Sequence, residues 1–208
     1  MILFVNACIR GDKSRTLELC REYIAGLKAN GEVVREVNLG QVALMPLSAQ
    51  KVAFRSQLAR ARVFDDDIFG FAHQFAEADE IIIGAPYWDL TFPAALKVYI
   101  EHVSVDGITF KFTPDAHYDG QCVAKRITYI CTAGSLLTCD VAGAEAAHEP
   151  APGEHLGYDY ICAIARMFGI PEVRYVGAEG LDVQGANIND AMEGARRRIA
   201  DLLSARPC

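Results

Sequence analysis

Hydrophobic and polar positions along the 208 residues fall into two alternating patterns. Short, nearly unbroken apolar runs are typical of strands buried on both faces, and longer segments with apolar residues every three or four positions are typical of amphipathic helices. Alternation of the two predicts a parallel sheet covered by helices on both faces. Strands are predicted at residues 1–7, 32–39, 80–85, 126–131 and 172–177.

The segments between these strands predict helices of differing clarity. Asn30-Gly31 ends the first helix, and the acidic run at 65–67 favours the start of the second. Residues 40–62 are less regular and predict a loop followed by a short helix. No linker or repeat interrupts the pattern, so we expect a single domain over residues 1–208. The clear helices are predicted at residues 14–29, 65–78, 93–103, 158–168 and 188–204.

Two segments are longer than ordinary connections in a sheet of this kind. Residues 107–120 are rich in aromatic side chains, and residues 135–157 contain several alanines, prolines and glycines. Connections of this length are usually functional or disordered. The sequence leaves the structure of residues 136–157 open.

Composition excludes several classes of protein. A hydrophobic fraction of 51% allows one substantial core, and a net charge of -7 provides no basic surface for nucleic acid. No stretch approaches the roughly 20 apolar residues that cross a bilayer, and the apolar start lacks a basic flank and a cleavage site. Seven cysteines without a CxxC pair indicate reduced thiols. We therefore expect a cytoplasmic protein without membrane insertion.

Other catalytic chemistries find little support in the sequence. The five histidines show no paired spacing for a metal, so no metal site is expected, and His102 is interpreted as structural. No serine lies in a GxSxG turn. Cys8 follows the first strand, but no pattern supplies it with a base. A packed or phosphate-adjacent thiol is favoured over a catalytic Cys8, whose role stays open.

Ligands of open α/β sheets bind beyond the carboxyl ends of the strands. The loop after the first strand, residues 8–16, carries the hydroxyls of Ser14 and Thr16 and the charges of Arg10 and Arg15 at the start of a helix. Such a helix N-terminus can bind a phosphate. An equally weighted interpretation is that Ser14 only caps the helix and the arginines are solvated. GxxxxGK[ST] and GxGxxG patterns are absent from the loop, which disfavours a nucleoside triphosphate and a Rossmann dinucleotide.

Two further loops end at the same edge of the predicted sheet. The loop at 84–93 holds Tyr87, Trp88 and Phe92 between two prolines, which suits a flat wall against a planar ring; a hydrophobic plug between helices is the alternative. The loop after the fourth strand, 132–135, contains small residues that permit a ligand to approach the backbone.

The central part of the chain carries a recognisable pattern. It comprises Gly84-Ala85-Pro86-Tyr87-Trp88, Phe92-Pro93-Ala94-Ala95-Leu96-Lys97, Tyr99-Ile100-Glu101-His102-Val103 and Gly107-Ile108-Thr109-Phe110-Lys111-Phe112. This block resembles the FMN-dependent NADH azoreductases and the related flavodoxin-fold NAD(P)H quinone reductases. The likeness extends over nearly the whole chain, including residues 168–170 and 178–180.

The resemblance implies a flavodoxin-like three-layer sandwich with a five-stranded parallel sheet in the order 2-1-3-4-5. It also implies a homodimer with active sites at the subunit interface and non-covalent FMN, reduced by NADH or NADPH. The implied reaction is two-electron reduction of quinones, and of azo compounds, by a ping-pong hydride transfer. Which nicotinamide is preferred, and which acceptor is physiological, are left open.

The same resemblance assigns site residues by position. The catalytic assignments are Trp88, as an aromatic wall, and Asp89, through its backbone, with the role of the Asp89 carboxylate left open. The implied phosphate residues are Arg10, Ser14, Arg15 and Thr16; those against the isoalloxazine are Pro86, Tyr87, Trp88, Asp89 and Leu90; those on its other side are Thr132, Ala133, Gly134 and Ser135.

This chain departs from the family pattern at two loops. Cys8-Ile9-Arg10 stands where the family commonly has serine-proline-arginine, and Gly134-Ser135 stands where it has paired glycines. Residues after Ser135 diverge most. Because they help to shape the substrate cavity, they leave the substrate open.

Two other functions are compatible with such a fold. One is a one-electron FMN carrier that docks on protein partners. The other is a regulatory protein that has lost the flavin. The two long segments, which a minimal carrier does not need, favour the enzyme.

Overall fold

The computed structural model describes residues 1–137 and 155–206. Within these ranges the strands are β1 (Ile2–Asn6), β2 (Val34–Asn38), β3 (Glu80–Gly84), β4 (Phe110–Phe112), β5 (Tyr118–Gly120), β6 (Arg126–Thr132) and β7 (Glu172–Ala178). The α-helices are α1 (Arg15–Ala29), α2 (Ala49–Arg60), α3 (Gly70–Ala76), α4 (Ala94–Val103), α5 (Leu156–Phe168) and α6 (Ile188–Ser204).

Five of the strands form one parallel sheet in the order β2-β1-β3-β6-β7. This confirms the predicted order 2-1-3-4-5. In the register of the sheet, Asn6 lies opposite both Asn38 and Gly84, and Gly84 lies opposite Ile130. The carboxyl ends of the three central strands therefore meet at one edge of the sheet.

Helices cover the sheet on both faces. Alternate residues of β1 enter two separate cores, with Leu3 and Val5 in one and Ile2 and Phe4 in the other. The first core includes residues of α3, α4 and α5, and the second includes residues of α1 and α6. A strand buried on both faces explains the unbroken apolar run at the start of the sequence.

The predicted helix at 65–78 begins later than its acidic run indicated. A 3-10 turn at Asp67–Phe69 precedes α3, and the Asp66 carboxylate accepts a hydrogen bond from the Ile68 backbone at 2.9 Å. An acidic residue just before a helix satisfies backbone donors that the helix leaves unpaired. Asp66 therefore caps the 3-10 turn, and α3 begins after that turn without a side-chain cap of its own.

The less regular region at 40–62 contains α2, which follows a loop as predicted. None of its residues is buried. A helix without a buried face needs no apolar stripe, which explains why its periodicity in the sequence is weak.

The aromatic-rich segment at 107–120 forms an antiparallel hairpin of β4 and β5. The rings of Phe110, Phe112 and Tyr118 pack together with centroids 5.4 to 5.6 Å apart. Its last residue, Gly120, lies against Gly169, which ends α5 in the left-handed region with φ of 78°. Of the predicted long segment at 135–157, only the two ends fall within the described residues.

No helix among the described residues is both long and apolar enough to cross a membrane. Over the same residues, no group of histidine, cysteine, aspartate and glutamate side chains is arranged to hold a metal ion.

Candidate functional site

A cleft of about 360 Å³ opens at the carboxyl edge of the sheet. All three loops that the sequence predicted at this edge contribute to its walls. Residues lining it are Arg10, Lys13, Ser14, Arg15, Pro86, Tyr87, Trp88, Thr132, Ala133, Gly134, Leu181 and Asp182.

The first loop places a cationic group of side chains at the start of α1. A short 3-10 turn leads from β1 to Ser14, whose hydroxyl accepts a hydrogen bond from the Leu17 backbone at 3.3 Å and so caps the helix. Arg10, Lys13 and Arg15 are exposed around it. Both interpretations of Ser14 are compatible, because the residue caps the helix and also lines the cleft. This end of α1 carries the positive pole of the helix dipole.

Thr16 lies below the cleft and does not line it. Its side chain is fully buried, and its hydroxyl lies 2.7 Å from the hydroxyl of Thr132. The bond joins the first loop to the end of β6. Thr16 therefore positions the walls of the cleft through Thr132.

Cys8 is a packed thiol between β1 and β3. It is 4% exposed, and its sulfur lies 3.5 Å from the carbonyl oxygen of Gly84. A hydrogen bond from the Cys20 thiol lowers the pKa of Cys8, whereas burial raises the pKa of Cys20. Asn6 holds the same turn, because its side-chain oxygen accepts a hydrogen bond from the Cys8 backbone at 2.9 Å.

The second loop continues the pairing of β3 with β6 before it turns. Tyr87 donates its backbone N–H to Thr132 at 3.0 Å, so the second and third loops lie side by side. Tyr87 and Trp88 then form a wall of the cleft. Trp88 is 39% exposed and gives the cleft a flat apolar side open to a ligand.

The segment after Trp88 forms a tight two-residue turn. Trp88 and Thr91 exchange backbone hydrogen bonds of 3.3 and 2.8 Å, with φ of 49° at Asp89 and 68° at Leu90. Positive φ at both central positions is the type I′ geometry, which costs free energy in residues other than glycine. The two bonds of the turn use only Trp88 and Thr91, so the N–H groups of Asp89 and Leu90 stay outside them. Asp89 and Leu90 are exposed beside the cleft and are not among its lining residues.

The third loop is held by a fourth loop that follows β7. Leu181 and Asp182 donate backbone hydrogen bonds to the carbonyls of Ala133 and Gly134 at 3.1 and 3.0 Å, and Gly180 donates to Ser135 at 2.9 Å. Ala133 and Gly134 line the cleft, whereas Ser135 is exposed outside its lining.

Sequence reasoning missed the residues that the fourth loop contributes, Leu181 and Asp182. The signal was present, because the loop follows a predicted strand and the rule for carboxyl ends applies to it equally. Lys13 was also missed, although it lies within the first loop.

His155 lies behind the second loop, at the start of α5. It is 2% exposed, and its Nδ1 accepts a hydrogen bond from the Tyr158 backbone at 3.1 Å. Its ring stands nearly perpendicular to those of Tyr87 and Tyr175, at 5.7 and 5.2 Å between centroids. Burial lowers the pKa of His155. A neutral ring that caps α5 thus supports the aromatic wall of the cleft from behind.

His102, interpreted as structural from the sequence, is buried in α4. Its Nε2 lies 2.9 Å from the carbonyl oxygen of Met45, which fixes the loop before α2. It is not among the residues that line the cleft.

Together these residues define an open α/β protein with a ligand cleft at the carboxyl edge of its sheet. The cleft is cationic at one end, where α1 begins, and aromatic at the other. Residues 1–203 match the model of the family described as having a flavodoxin-like fold, and the chain belongs to that family.

Relatives of this chain carry concordant names. An FMN-dependent NADH:quinone oxidoreductase of Clostridium perfringens is 29% identical over 210 residues, which cover 97% of this chain and 96% of the relative. FMN-dependent NADH:quinone oxidoreductase 1 of Pseudomonas putida is 29% identical over 215 residues, covering 98% of each chain. The family resemblance expected from the central block is confirmed.

Solved structures show the same fold. An azoreductase from Bacillus anthracis str. Sterne superposes with a TM-score of 0.83 at 22% identity, covering 99% of each chain. An FMN-dependent NADH-azoreductase from Bacillus anthracis str. Ames Ancestor, in complex with FMN, has a TM-score of 0.79 at 18% identity and covers 98% of this chain and 97% of its own. At these identities the likeness establishes the fold.

Proposed function

We propose that this protein is an FMN-dependent NAD(P)H oxidoreductase that transfers two electrons to quinones and to azo compounds. One observation carries the proposal: a cationic helix terminus and an aromatic wall face one cleft at the carboxyl edge of the sheet. FMN has an anionic phosphate at one end and a planar ring at the other. The similarity over nearly the full chain to enzymes named FMN-dependent NADH:quinone oxidoreductase supports the same function.

The donor set of the cleft fits FMN. Arg10, Ser14 and Arg15 would hold the phosphate, because charged and hydroxyl donors at a helix N-terminus are matched to a phosphate dianion. Lys13 adds a further positive charge. Thr16 would support this end from below through its bond to Thr132.

The ring would lie at the other end of the cleft. Pro86, Tyr87 and Trp88 line the cleft there, beside Thr132, Ala133 and Gly134 of the third loop, and Ser135 lies outside the lining. Asp89 and Leu90 would offer their backbone N–H groups to the edge of the ring. The strained turn is one way in which a protein directs backbone donors at a ligand.

When bound, FMN supplies the hydride chemistry, accepting from a nicotinamide and passing electrons to the acceptor. Trp88 would cover the reacting face and exclude water. Backbone donors at Asp89 and Leu90 would stabilise negative charge that develops on the ring, which is electrostatic preorganisation. The donors are fixed by the turn before reaction, so they need not reorganise.

The β4–β5 hairpin favours this enzyme over a one-electron carrier. Of its residues, Phe110 is buried in one core of the five-stranded sheet, whereas the other residues of β4 and β5 are not buried. Phe112 and Tyr118 are 59% and 54% exposed on the hairpin, which gives the chain an aromatic surface beyond that core. Flat exposed rings suit contact with a planar acceptor, although neither is among the residues that line the cleft.

We further propose a single domain that forms a homodimer in the cytoplasm. The exposed rings of the hairpin and the lack of buried residues in α2 support a second copy as partner. All five cysteines among the described residues are free thiols, which supports a reducing compartment. Light scattering coupled to size exclusion would measure the mass of the particle, and a monomer at micromolar concentration would contradict the dimer.

The test of the function begins with purified protein. We expect a yellow protein, or a colourless one that takes up FMN at one equivalent per chain and then reduces a benzoquinone with NADH or NADPH. Protein that neither contains nor binds FMN would contradict the proposal. Protein that binds FMN and reduces no quinone would favour the electron carrier.

A further inference from the structure

The phosphate end of the cleft contains a negative charge of its own. Arg10, Lys13 and Arg15 provide the positive charge expected of an anion site, but Asp182 lines the same cleft. Its Oδ1 lies 3.6 Å from the Nη1 of Arg15. A carboxylate at this place opposes the binding of any anion there.

The backbone of Asp182 is fixed in this position. Its N–H donates to the carbonyl of Gly134 at 3.0 Å, and the neighbouring Leu181 donates to Ala133 at 3.1 Å. The carboxylate lies against Gly134, where a Cβ would come within 2.3 Å of Oδ2. Only the absence of a side chain at residue 134 leaves space for it. The packing of the third loop against the fourth therefore sets the position of Asp182.

We propose that Asp182 is a specificity-determining residue of the phosphate end: its carboxylate competes with the FMN phosphate for Arg15. The inference rests on the proposed function, since it takes FMN as the ligand. In the free protein Arg15 pairs with Asp182. On binding, Arg15 turns to the phosphate, and Asp182 remains as a like charge beside it. The consequence is weaker binding of FMN and a smaller preference for FMN over riboflavin, which lacks the phosphate.

The size of the effect follows from exposure. The side chains of Arg15 and Asp182 are 44% and 77% exposed, so solvent screens both the pair and the repulsion. Exposed charge pairs have modest energies, and a phosphate carries nearly two charges. We expect the Asp182→Asn variant to bind FMN about threefold to tenfold more tightly than the wild type. The gain should shrink as salt is raised.

The experiment measures dissociation constants of apoprotein for FMN and for riboflavin by quenching of flavin fluorescence. Asp182→Asn should lower the dissociation constant of FMN and leave that of riboflavin within about twofold of the wild type, because only FMN carries the phosphate charge. Asp12→Asn is the matched control. Asp12 is an exposed carboxylate of the first loop, but it pairs with Arg21 at 2.6 Å and lines a different cleft, between α1 and β2. Its removal should leave both constants unchanged.

A double-variant cycle tests the competition for Arg15 directly. Arg15→Gln should weaken FMN binding more in the Asp182→Asn background than in the wild type, because Arg15 is then available to the phosphate alone. Equal losses in the two backgrounds would overturn the competition.

The remaining outcomes are also decisive. Unchanged FMN affinity in Asp182→Asn, equal tightening in Asp12→Asn, or weaker binding of both flavins would overturn the inference while the proposed function stands. A wild-type protein that binds no FMN would overturn the proposed function, and the inference with it.

Discussion

The hydroxyls of Thr16 and Thr132 lie 2.7 Å apart in the interior, joining the first turn of α1 to the end of β6 across 116 residues of sequence. Both side chains are buried. Each hydroxyl is the other's partner below the cleft. The bond therefore couples the loop with the cationic side chains to the third loop, which also lines the cleft.

Breaking this bond should destabilise the protein. Thr16→Val leaves the buried Thr132 hydroxyl without its partner, and we expect a loss of about 1 to 3 kcal/mol in the free energy of unfolding. Thr132→Val should cost a similar amount. The double variant Thr16→Val/Thr132→Val should cost less than the sum, because it leaves no orphaned hydroxyl. Urea denaturation measures all three, and strictly additive losses would show that the two hydroxyls do not depend on each other.

Reversal of charge at the start of α1 should weaken FMN binding. Ser14→Asp retains a good helix cap while adding a negative charge, and Arg10→Glu reverses a positive one. Loss of a charge-assisted hydrogen bond costs about 1.5 to 3 kcal/mol, or roughly 10-fold to 150-fold in affinity. Titration calorimetry with FMN checks this.

The control for these variants is Arg21→Glu. It makes the same change of charge as Arg10→Glu but acts within α1, at a side chain that pairs with Asp12 and lines a different cleft. If all three variants weakened FMN binding equally, the effect would come from the net charge of the protein. The phosphate would then bind at a place other than the start of α1.

The turn after Trp88 should store strain at Leu90. Leu90 has φ of 68° and is 62% exposed, so its side chain contributes little packing to offset the conformation. Leu90→Gly should be more stable than Leu90→Ala by about 1 kcal/mol, since alanine keeps the Cβ that disfavours positive φ. Thermal unfolding of the two variants gives the difference, and an alanine variant as stable as the glycine variant would show that the turn is relaxed.

Stability should fall in mild acid through His155. Burial lowers the pKa of His155 in the folded protein. Below about pH 6.5 this histidine therefore binds a proton in the unfolded chain but not in the folded protein. The free energy of unfolding then decreases as the pH drops, by up to about 1.4 kcal/mol per pH unit, until the pH falls below the folded pKa. Burial raises the pKa of Glu179, which acts with the opposite sign in acid.

Comparison of variants isolates the histidine. His155→Asn should remove part of the slope between pH 7.5 and 5.5 in urea denaturation, and His117→Asn, at an exposed histidine, should retain it. Since Glu179 is present in every variant, its contribution cancels. The same slope in the wild type and in His155→Asn would contradict the prediction.

Kinetics should follow a ping-pong scheme. If the ring lies against Trp88 and the acceptor occupies the same face as the nicotinamide, the two substrates cannot bind together, and the donor must leave before the acceptor enters. Double-reciprocal plots of NADH or NADPH oxidation at several quinone concentrations should then give parallel lines. We expect slower turnover with azo dyes than with quinones. Intersecting lines would contradict a shared position for the two substrates.

Much of the site could be predicted because its residues follow strands. The loops containing Ser14, Tyr87 and Gly134 were located from the rule that ligands bind at the carboxyl ends of parallel strands. The same rule applied to β7 leads to Asp182. The rule does not say how the loops pack against one another. The sequence therefore could not distinguish the residues that line the cleft from Asp89, Leu90 and Ser135, which lie outside the lining.

The sequence by itself determined the five strands of the parallel sheet, most of the helices and the class of fold, because hydrophobic periodicity and helix caps act between residues close together in the chain. Tertiary structure alone decided the bond of Thr16 to Thr132, the position of His155 behind Tyr87 and that of Asp182 over Gly134. Each joins segments distant in sequence whose approach depends on strand register and loop packing. Those are properties of the assembled sheet, and no local pattern encodes them.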